Sequence, residues 1–347
     1  MWQRRVSPPS ASEVTLRPLP EAAVARFRAE VERLVARAFD GAALKQEARL
    51  ALAVSGGADS MAMLRLGAAA FPGRVIAATF DHRLRPASAA EAEMVAAVCA
   101  GLGVPHDTLL PATPIAGNSI QMRARAARYE GLGAWAAAAD VSFLLTAHHA
   151  DDQAETLLMR LQRASGLAGL SAIRAVRSAS FGVVLRPLLG WRRASLRALA
   201  LDSGTPFVDD PSNADPRHDR TRIRALLAAT PTLDPAALAA SAGFLAEAEE
   251  VIARHADIMW SERWHGGDRG FAIADEPREI RRRLLRRALV DTRTRHGIVL
   301  PLFSDSANVE GLLDTLTAGR GGTQAGVLVR PARDGWLFRP APPRRSL

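Results

Sequence analysis

Between residues 50 and 163, short continuous apolar runs alternate with longer segments whose apolar residues recur at helical spacing. The runs "RLALAV" (49–54), "RVIAATF" (74–80) and "VSFLLTA" (141–147) have the length and continuity of strands buried on both faces. Segments 60–70, 88–101, 119–139 and 152–163 read as helices. An amphipathic helix is predicted ahead of them over 21–48, with Val24, Phe27, Val31, Leu34 and Val35 along one side. Apolar strands alternating with helices predict an α/β fold, a parallel sheet with helices on both faces. Past residue 225 the texture changes. Residues 234–258 and 277–295 are Ala-, Leu- and Arg-rich helical patterns, and only "TQAGVLVRPARDGWLFRP" reads as two short strands around a turn. The expected organisation is an N-terminal extension and helix (1–48), an α/β domain (49–225) and a smaller, mainly helical domain (226–347).

Composition narrows the class. A chain of 347 residues, 48% hydrophobic and 23% charged, is globular and long enough for two domains. No apolar run is long enough to span a membrane. The opening "MWQRRVSPPSASE" lacks the apolar stretch of a signal peptide, so a cytoplasmic protein is expected. The lone cysteine, Cys99, lies in an apolar run and excludes a disulfide framework or paired-cysteine chemistry. Net charge is +9 and Lys45 is the only lysine, so nearly all the positive charge is arginine. Genome composition alone can produce that bias. Planar, permanently charged guanidinium also suits phosphate, which favours a polyanionic partner.

Three polar clusters fall where the predicted strands end, and in parallel sheets ligands bind at those ends. "SGGADS" (55–60) joins the first strand to a helix. Its glycines relax the backbone, and the helix start offers N–H donors to an anion. The plainer reading is a glycine-rich turn capped by Ser60 or Asp59. A carboxylate in an anion cradle repels phosphate unless a cation stands between them, so Asp59 is expected to hold magnesium. "TAHHADDQAET" crowds His148, His149, Asp151, Asp152 and Glu155 together. An acidic first turn suits the helix dipole, but capping needs only one acid. Asp152 and Glu155 share a face and are suited to an ammonium group or a metal; the spacing is not that of a zinc site. "FDHRLRP" brings Asp81, and "QMRARAARYEGL" brings Arg125 and Arg128 beside Tyr129. "VDDPSNADPRHDRTRIRALL" feeds Arg217, Arg220, Arg222 and Arg224 into a helix, a solvated face or a phosphate contact.

Taken in order, "VSGGADS", "DHRLR", "ARAARY", "TAHHADDQAETLLMRLQRASGLAGL", "RPLLGWRR" and "DDPSNADPRHDRTRIR" resemble the tRNA(Ile)-lysidine synthetase family of the ATP pyrophosphatase (PP-loop) superfamily. The match is dense over residues 48–225 and loose beyond. The resemblance implies an enzyme that uses ATP and Mg2+ to adenylate the wobble cytidine of an isoleucine tRNA with a CAU anticodon. L-lysine then displaces AMP, and codon reading changes from AUG to AUA. It implies that Ser55, Gly56, Gly57, Ala58 and Ser60 hold pyrophosphate and that Asp59 takes magnesium. Asp81 and Arg125 belong to the nucleotide site, and Asp152 and Glu155 receive the lysine ammonium. His148 stabilises or shuttles a proton, and Arg222 steadies the α-phosphate or the RNA. Two positions depart from the family pattern: Thr221 replaces a usual asparagine, and Arg83 replaces a common glycine, which points to an altered loop angle. Longer members carry a C-terminal acceptor-reading domain for which this chain is expected to be too short.

The alternatives are another PP-loop tRNA-modifying or amidotransferase enzyme, or a tRNA-binding module with a vestigial nucleotide site. In the C-terminal region "REIRRRLLRRALVDTRTRHG" gathers eight arginines between Arg278 and Arg295. They are either a solvated face opposite the stripe Leu284, Leu285, Ala288 and Leu289, or a track for the tRNA backbone.

Overall fold

The computed structural model describes residues 16–117, 119–209, 219–304 and 307–342. The opening "MWQRRV" segment and Arg217 lie outside the described residues. In chain order the elements are α1 (Glu21–Ala38), β1 (Leu50–Ala53), α2 (Ala58–Ala70), β2 (Val75–Phe80), α3 (Ser88–Gly101), β3 (His106–Leu109) and α4 (Ile120–Ala138). There follow β4 (Phe143–Leu145), α5 (Ala150–Leu161), α6 (Leu167–Leu170), β5 (Val176–Ala179), β6 (Gly182–Leu185), α7 (Arg193–Asp202) and α8 (Asp219–Ala229). The chain continues through α9 (Pro235–Arg263), α10 (Arg278–Arg295), α11 (Glu310–Thr317), β7 (Gly322–Gln324), β8 (Val327–Ala332) and β9 (Gly335–Pro340). Two compact units divide at Ala246 and Glu247, inside α9.

In the first unit six strands run in the order β3-β2-β1-β4-β6-β5. All neighbours pair in parallel except β5, which returns antiparallel to β6 at the edge. The alternating face of a strand explains the layers. Leu50 and Leu52 of β1, Val75 and Ala77 of β2 and Leu145 of β4 share one apolar cluster with Phe27 and Leu34 of α1 and Met61 and Leu64 of α2. Ala51, Ile76, Ala78, Leu144 and Val184 point the other way and meet Leu132 of α4. The expected parallel sheet covered on both faces is what forms. Each of these large buried side chains contributes about 1.5–3 kcal/mol, which outweighs the absence of a side-chain cap on α1.

The chain steps outward from β1 through β2 to β3 and then returns to β4 on the other side of β1. Connections leaving β1 and β4 therefore diverge, and a crevice opens between their carboxyl ends.

Several boundaries differ from the sequence reading. α1 ends at Ala38 rather than near 48, because Asp40 and Gly41 take left-handed backbone angles that stop the helix. The compact division falls later than residue 225, because α8 packs on α5 and the start of α9 is tied to the first unit by Ser171 and Arg174, which donate to the carbonyls of Leu245 and Ala246. In the second unit the expected strand pair is a three-stranded antiparallel sheet, β7-β8-β9. Val327, Val329, Trp336 and Phe338 of that sheet pack on Leu284, Leu285, Ala288 and Leu289 of α10. Among the described residues no helix is long and apolar enough to cross a membrane.

Candidate active site

The loop after β1 is shaped by its own hydroxyls. Ser60 donates to the Gly57 carbonyl (2.9 Å) and accepts from the backbone N–H of Ser55 (3.1 Å), and the Ser55 hydroxyl lies 3.3 Å from it. Ser60 is buried and occupied in closing the loop, whereas Ser55 is exposed. Gly56 has φ +84°, a left-handed angle that other residues adopt at a cost. Gly57 caps α2 and Ala58 begins it, with no side chain bonded to the first-turn N–H groups, so those donors remain for an anion. Asp59 stands in that first turn. Its Oδ1 is buried without a hydrogen-bond partner, and its Oδ2 turns toward the neighbouring loop.

That neighbouring loop follows β4, and His149 organises it. The ring Nδ1 accepts the backbone N–H of Asp152 (3.3 Å), while the Asp152 carboxylate accepts the backbone N–H of His149 (3.2 Å). This is a capping box with histidine in the place usually taken by serine or threonine. With Nδ1 accepting, the proton of the neutral ring sits on Nε2, 3.5 Å from Oδ2 of both Asp59 and Asp152. Burial pulls the His149 pKa down, but the bond to Asp59 and the charges of Asp152, Asp59 and Asp151 outweigh it, and the net direction is up. Asp151 faces away. It takes the backbone N–H of Arg193 (2.7 Å) and the Arg192 guanidinium, and despite burial these hold its carboxyl below the ordinary range.

His148, the histidine singled out from the sequence, sits in different surroundings. Its Nδ1 is 3.0 Å from the Thr146 hydroxyl. Burial first, then Arg186, Arg128, Arg125 and Arg220, push its pKa down to about 2, so it stays neutral. Arg125 lies over the Tyr129 ring at 5.0 Å. Asp81 is buried at the end of β2, and one of its oxygens accepts the backbone N–H of Arg83 (2.8 Å). Arg83 has φ +52°, so the arginine adopts the left-handed angle that a glycine would take freely, at a cost of about 1–2 kcal/mol.

Glu155 is 1% exposed and its carboxylate is already engaged. Arg224 Nε lies 2.8 Å from Oε1 and Arg220 Nε 2.9 Å from Oε2. Glu155 thus anchors α8, while Asp152 faces His149 and also lies 3.8 Å from Arg220, which bridges the two carboxylates. Arg222 is exposed and pairs with Asp219, on the side of α8 opposite Arg220 and Arg224. His149, Arg220 and Arg224, noted in these stretches without an individual role in the site, are brought into it by the structure. The i,i+4 spacing of the two arginines was the available signal, since it puts them on one helix face and Arg222 on another.

Two adjacent loops, one an anion cradle with a carboxylate, the other a histidine-capped acidic helix, thus meet at the switch point of a mostly parallel sheet. The fold and this site define a PP-loop domain, and the family model of that description matches residues 25–230. A tRNA(Ile)-lysidine synthase of Novosphingobium aromaticivorans is 42% identical over 330 residues, covering 93% of this chain and 95% of that protein. One of Bradyrhizobium sp. is 40% identical over 350 residues, covering 91% and 95%. The chain belongs to the tRNA(Ile)-lysidine synthase family. Among solved structures, the U34-tRNA thiolase NcsA from Methanococcus maripaludis with its 4Fe-4S cluster aligns at TM-score 0.51 and 17% identity, over 65% of this chain and 80% of that one. That likeness is one of fold. Cys99, the chain's one cysteine, is buried in α3 and its thiol is pushed up to about 12 by burial.

Proposed function

We propose that the protein joins L-lysine to C2 of the wobble cytidine of an isoleucine tRNA with a CAU anticodon, at the expense of ATP and through an adenylated tRNA. The observation that carries this reading is the meeting of Asp59 and Asp152 at His149, beside a loop built for phosphates. In the first half-reaction the cytidine O2 attacks the α-phosphorus and pyrophosphate leaves. The Ser55–Ser60 loop and the first-turn N–H groups of α2 hold the departing phosphates. In the second, the lysine amine forms the C2–N bond, AMP leaves with the oxygen, and the amine loses a proton.

Magnesium suits Asp59 on chemical grounds, since Oδ1 is an anionic oxygen that is buried and unpartnered. Among the described residues no trio of His, Cys, Asp or Glu is arranged to hold a metal alone. That agrees with an ion taking its remaining ligands from phosphate and water. When bound there, it neutralises charge between the carboxylate and the phosphates. Asp152 is the carboxylate available to the lysine ammonium. His148, neutral at physiological pH, offers a hydrogen bond without adding charge, and Glu155 serves by holding Arg220 and Arg224 in place. Pyrophosphate release should require tRNA and ATP together; release with ATP and lysine in the absence of tRNA would point to a small-molecule ligase.

A further inference from the structure

The chain leaving α7 turns back toward the loop after β1. Gly204 takes a left-handed angle (φ +66°), and the Thr205 N–H closes the turn on the Ala200 carbonyl (2.9 Å). Thr205 is buried and Arg65 Nη1 donates to its hydroxyl (3.3 Å), so the returning segment starts from a fixed point. Further on, the Val208 N–H donates to the Gly56 carbonyl (2.9 Å), which brings the segment against the loop itself. Asp209 is then clasped by Arg197 of α7, whose Nη1 and Nη2 donate to its two oxygens at 2.6 and 2.8 Å. The same guanidinium lies over the Phe207 ring at 4.8 Å, and Phe207 packs on the main apolar cluster. Arg197 follows the fully buried Leu196, so it projects from an anchored part of α7.

A trans peptide is planar, and its carbonyl and N–H point in opposite directions. Drawing the Gly56 carbonyl toward Val208 therefore turns the Gly57 N–H the other way. That N–H donates to no acceptor among the described residues, which leaves it for an anion. Two adjacent glycines, the first at φ +84°, let this peptide rotate readily. Flipped, it would present a carbonyl oxygen to phosphate in place of a donor. Ser60 restrains the following peptide through the Gly57 carbonyl, and Val208 restrains this one. Exposed ion pairs usually contribute little, but the pair that holds this segment is bidentate and stacked on a ring. The bond to Asp209 first, and the charge of Asp59 more weakly, favour the charged form of Arg197. The guanidinium is thus within electrostatic reach of the phosphate loop, which makes direct contact with phosphate the rival role.

We propose that Arg197 and Asp209 are positioning residues of the ATP site. Their ion pair holds the Phe207–Asp209 segment against the loop after β1 and, through the Val208–Gly56 hydrogen bond, keeps the Gly57 N–H turned to the phosphates of ATP. The proposal rests on the reading of that loop, given above, as the phosphate site. Neither side chain touches ATP in this role.

The test is calorimetric titration of ATP into the full-length protein, together with the lysine KM for lysidine formation. Arg197→Ala and Asp209→Asn should each weaken ATP binding three- to fivefold, a change of up to about 1 kcal/mol. The double variant Arg197→Ala/Asp209→Asn should bind no more weakly than either single one. The swapped pair Arg197→Asp/Asp209→Arg should recover part of the loss, and the lysine KM should stay at the wild-type value throughout. A lowered unfolding midpoint with ATP affinity unchanged in both folded single variants overturns the proposal, since the pair then serves the fold alone. If Arg197 instead contacts phosphate, Asp209→Asn frees it, and ATP binding holds or tightens while Arg197→Ala weakens it; that asymmetry also overturns the proposal. If wild type makes no lysidine yet the ATP affinities follow the expected pattern, the functional reading fails and the clasp stands. If it makes lysidine and both single variants bind ATP as wild type does, the clasp fails alone.

Discussion

Oδ2 of Asp59 lies 3.5 Å from Nε2 of His149, so a carboxylate–imidazole contact joins the loop after β1 to the loop after β4. Asp152 reaches the same nitrogen from the other side. The contact places a residue of the phosphate loop and the cap of α5 under common electrostatic control.

That control has a pH signature. The pKa of His149 is raised in the folded protein, so its charged form is favoured by folding. The resulting stability is fully present below the unfolded value near 6.5 and is lost as pH rises through the higher folded value. Wild type should therefore lose stability relative to His149→Asn as pH increases above about 6.5 in denaturant titrations. Asparagine preserves a cap, whereas His149→Ala should cost about 1 kcal/mol more at every pH. A difference between wild type and His149→Asn that does not vary with pH would remove His149 as the titrating group.

Asp59→Asn keeps the shape of the first turn and removes its charge. Adenylation should slow by an amount corresponding to several kcal/mol in the barrier, with the unfolding midpoint nearly unchanged. Pyrophosphate release at the wild-type rate with saturating magnesium would refute the metal role.

Asp152 and Glu155 should separate cleanly. Asp152→Asn is expected to raise the lysine KM more than the ATP KM. Glu155→Gln weakens the anchoring of Arg220 and Arg224 and should cost about 1–3 kcal/mol of stability, since a charge-assisted hydrogen bond to Arg224 and an ion pair with Arg220 are weakened. Its kinetic damage should fall on both substrates. A lysine-specific defect in a fully stable Glu155→Gln protein would return Glu155 to the lysine site.

The arginines of α10 are largely spent within the second unit. Arg282 pairs with Glu279 and Glu310, Arg283 with Glu249 and Glu279, and Arg286 donates to the Ala307 carbonyl. Arg282→Glu should lower stability by on the order of 1 kcal/mol by placing three acids together. The slope of log tRNA affinity against log salt should not change. A flattened slope with unchanged thermal stability would instead make this helix an RNA track.

The sequence made the sheet and the two loops legible because their apolar periods and turn glycines are local signals. Buried runs such as "LALA" and "VIAATF" admit few other readings. The strands β5 and β6 escaped notice: "VRSA" is half polar, and its place at the edge is set by pairing with β6 rather than by its own pattern. Tertiary pairing likewise hid the clasp of Arg197 on Asp209, which joins α7 to the segment beside the loop after β1. Which of the two adjacent histidines caps α5 could not be read from the letters, since it turns on the backbone angle at His149. The arginines of α10 looked available because Glu249 and Glu310 lie far away in the chain.

The most direct measurement is mass analysis of nucleosides from isoleucine tRNA with a CAU anticodon after incubation with the protein, ATP and lysine. The account predicts loss of one cytidine and gain of a nucleoside heavier by lysine less water, dependent on both ATP and lysine. An unmodified wobble cytidine, or a product that forms without lysine, would contradict it.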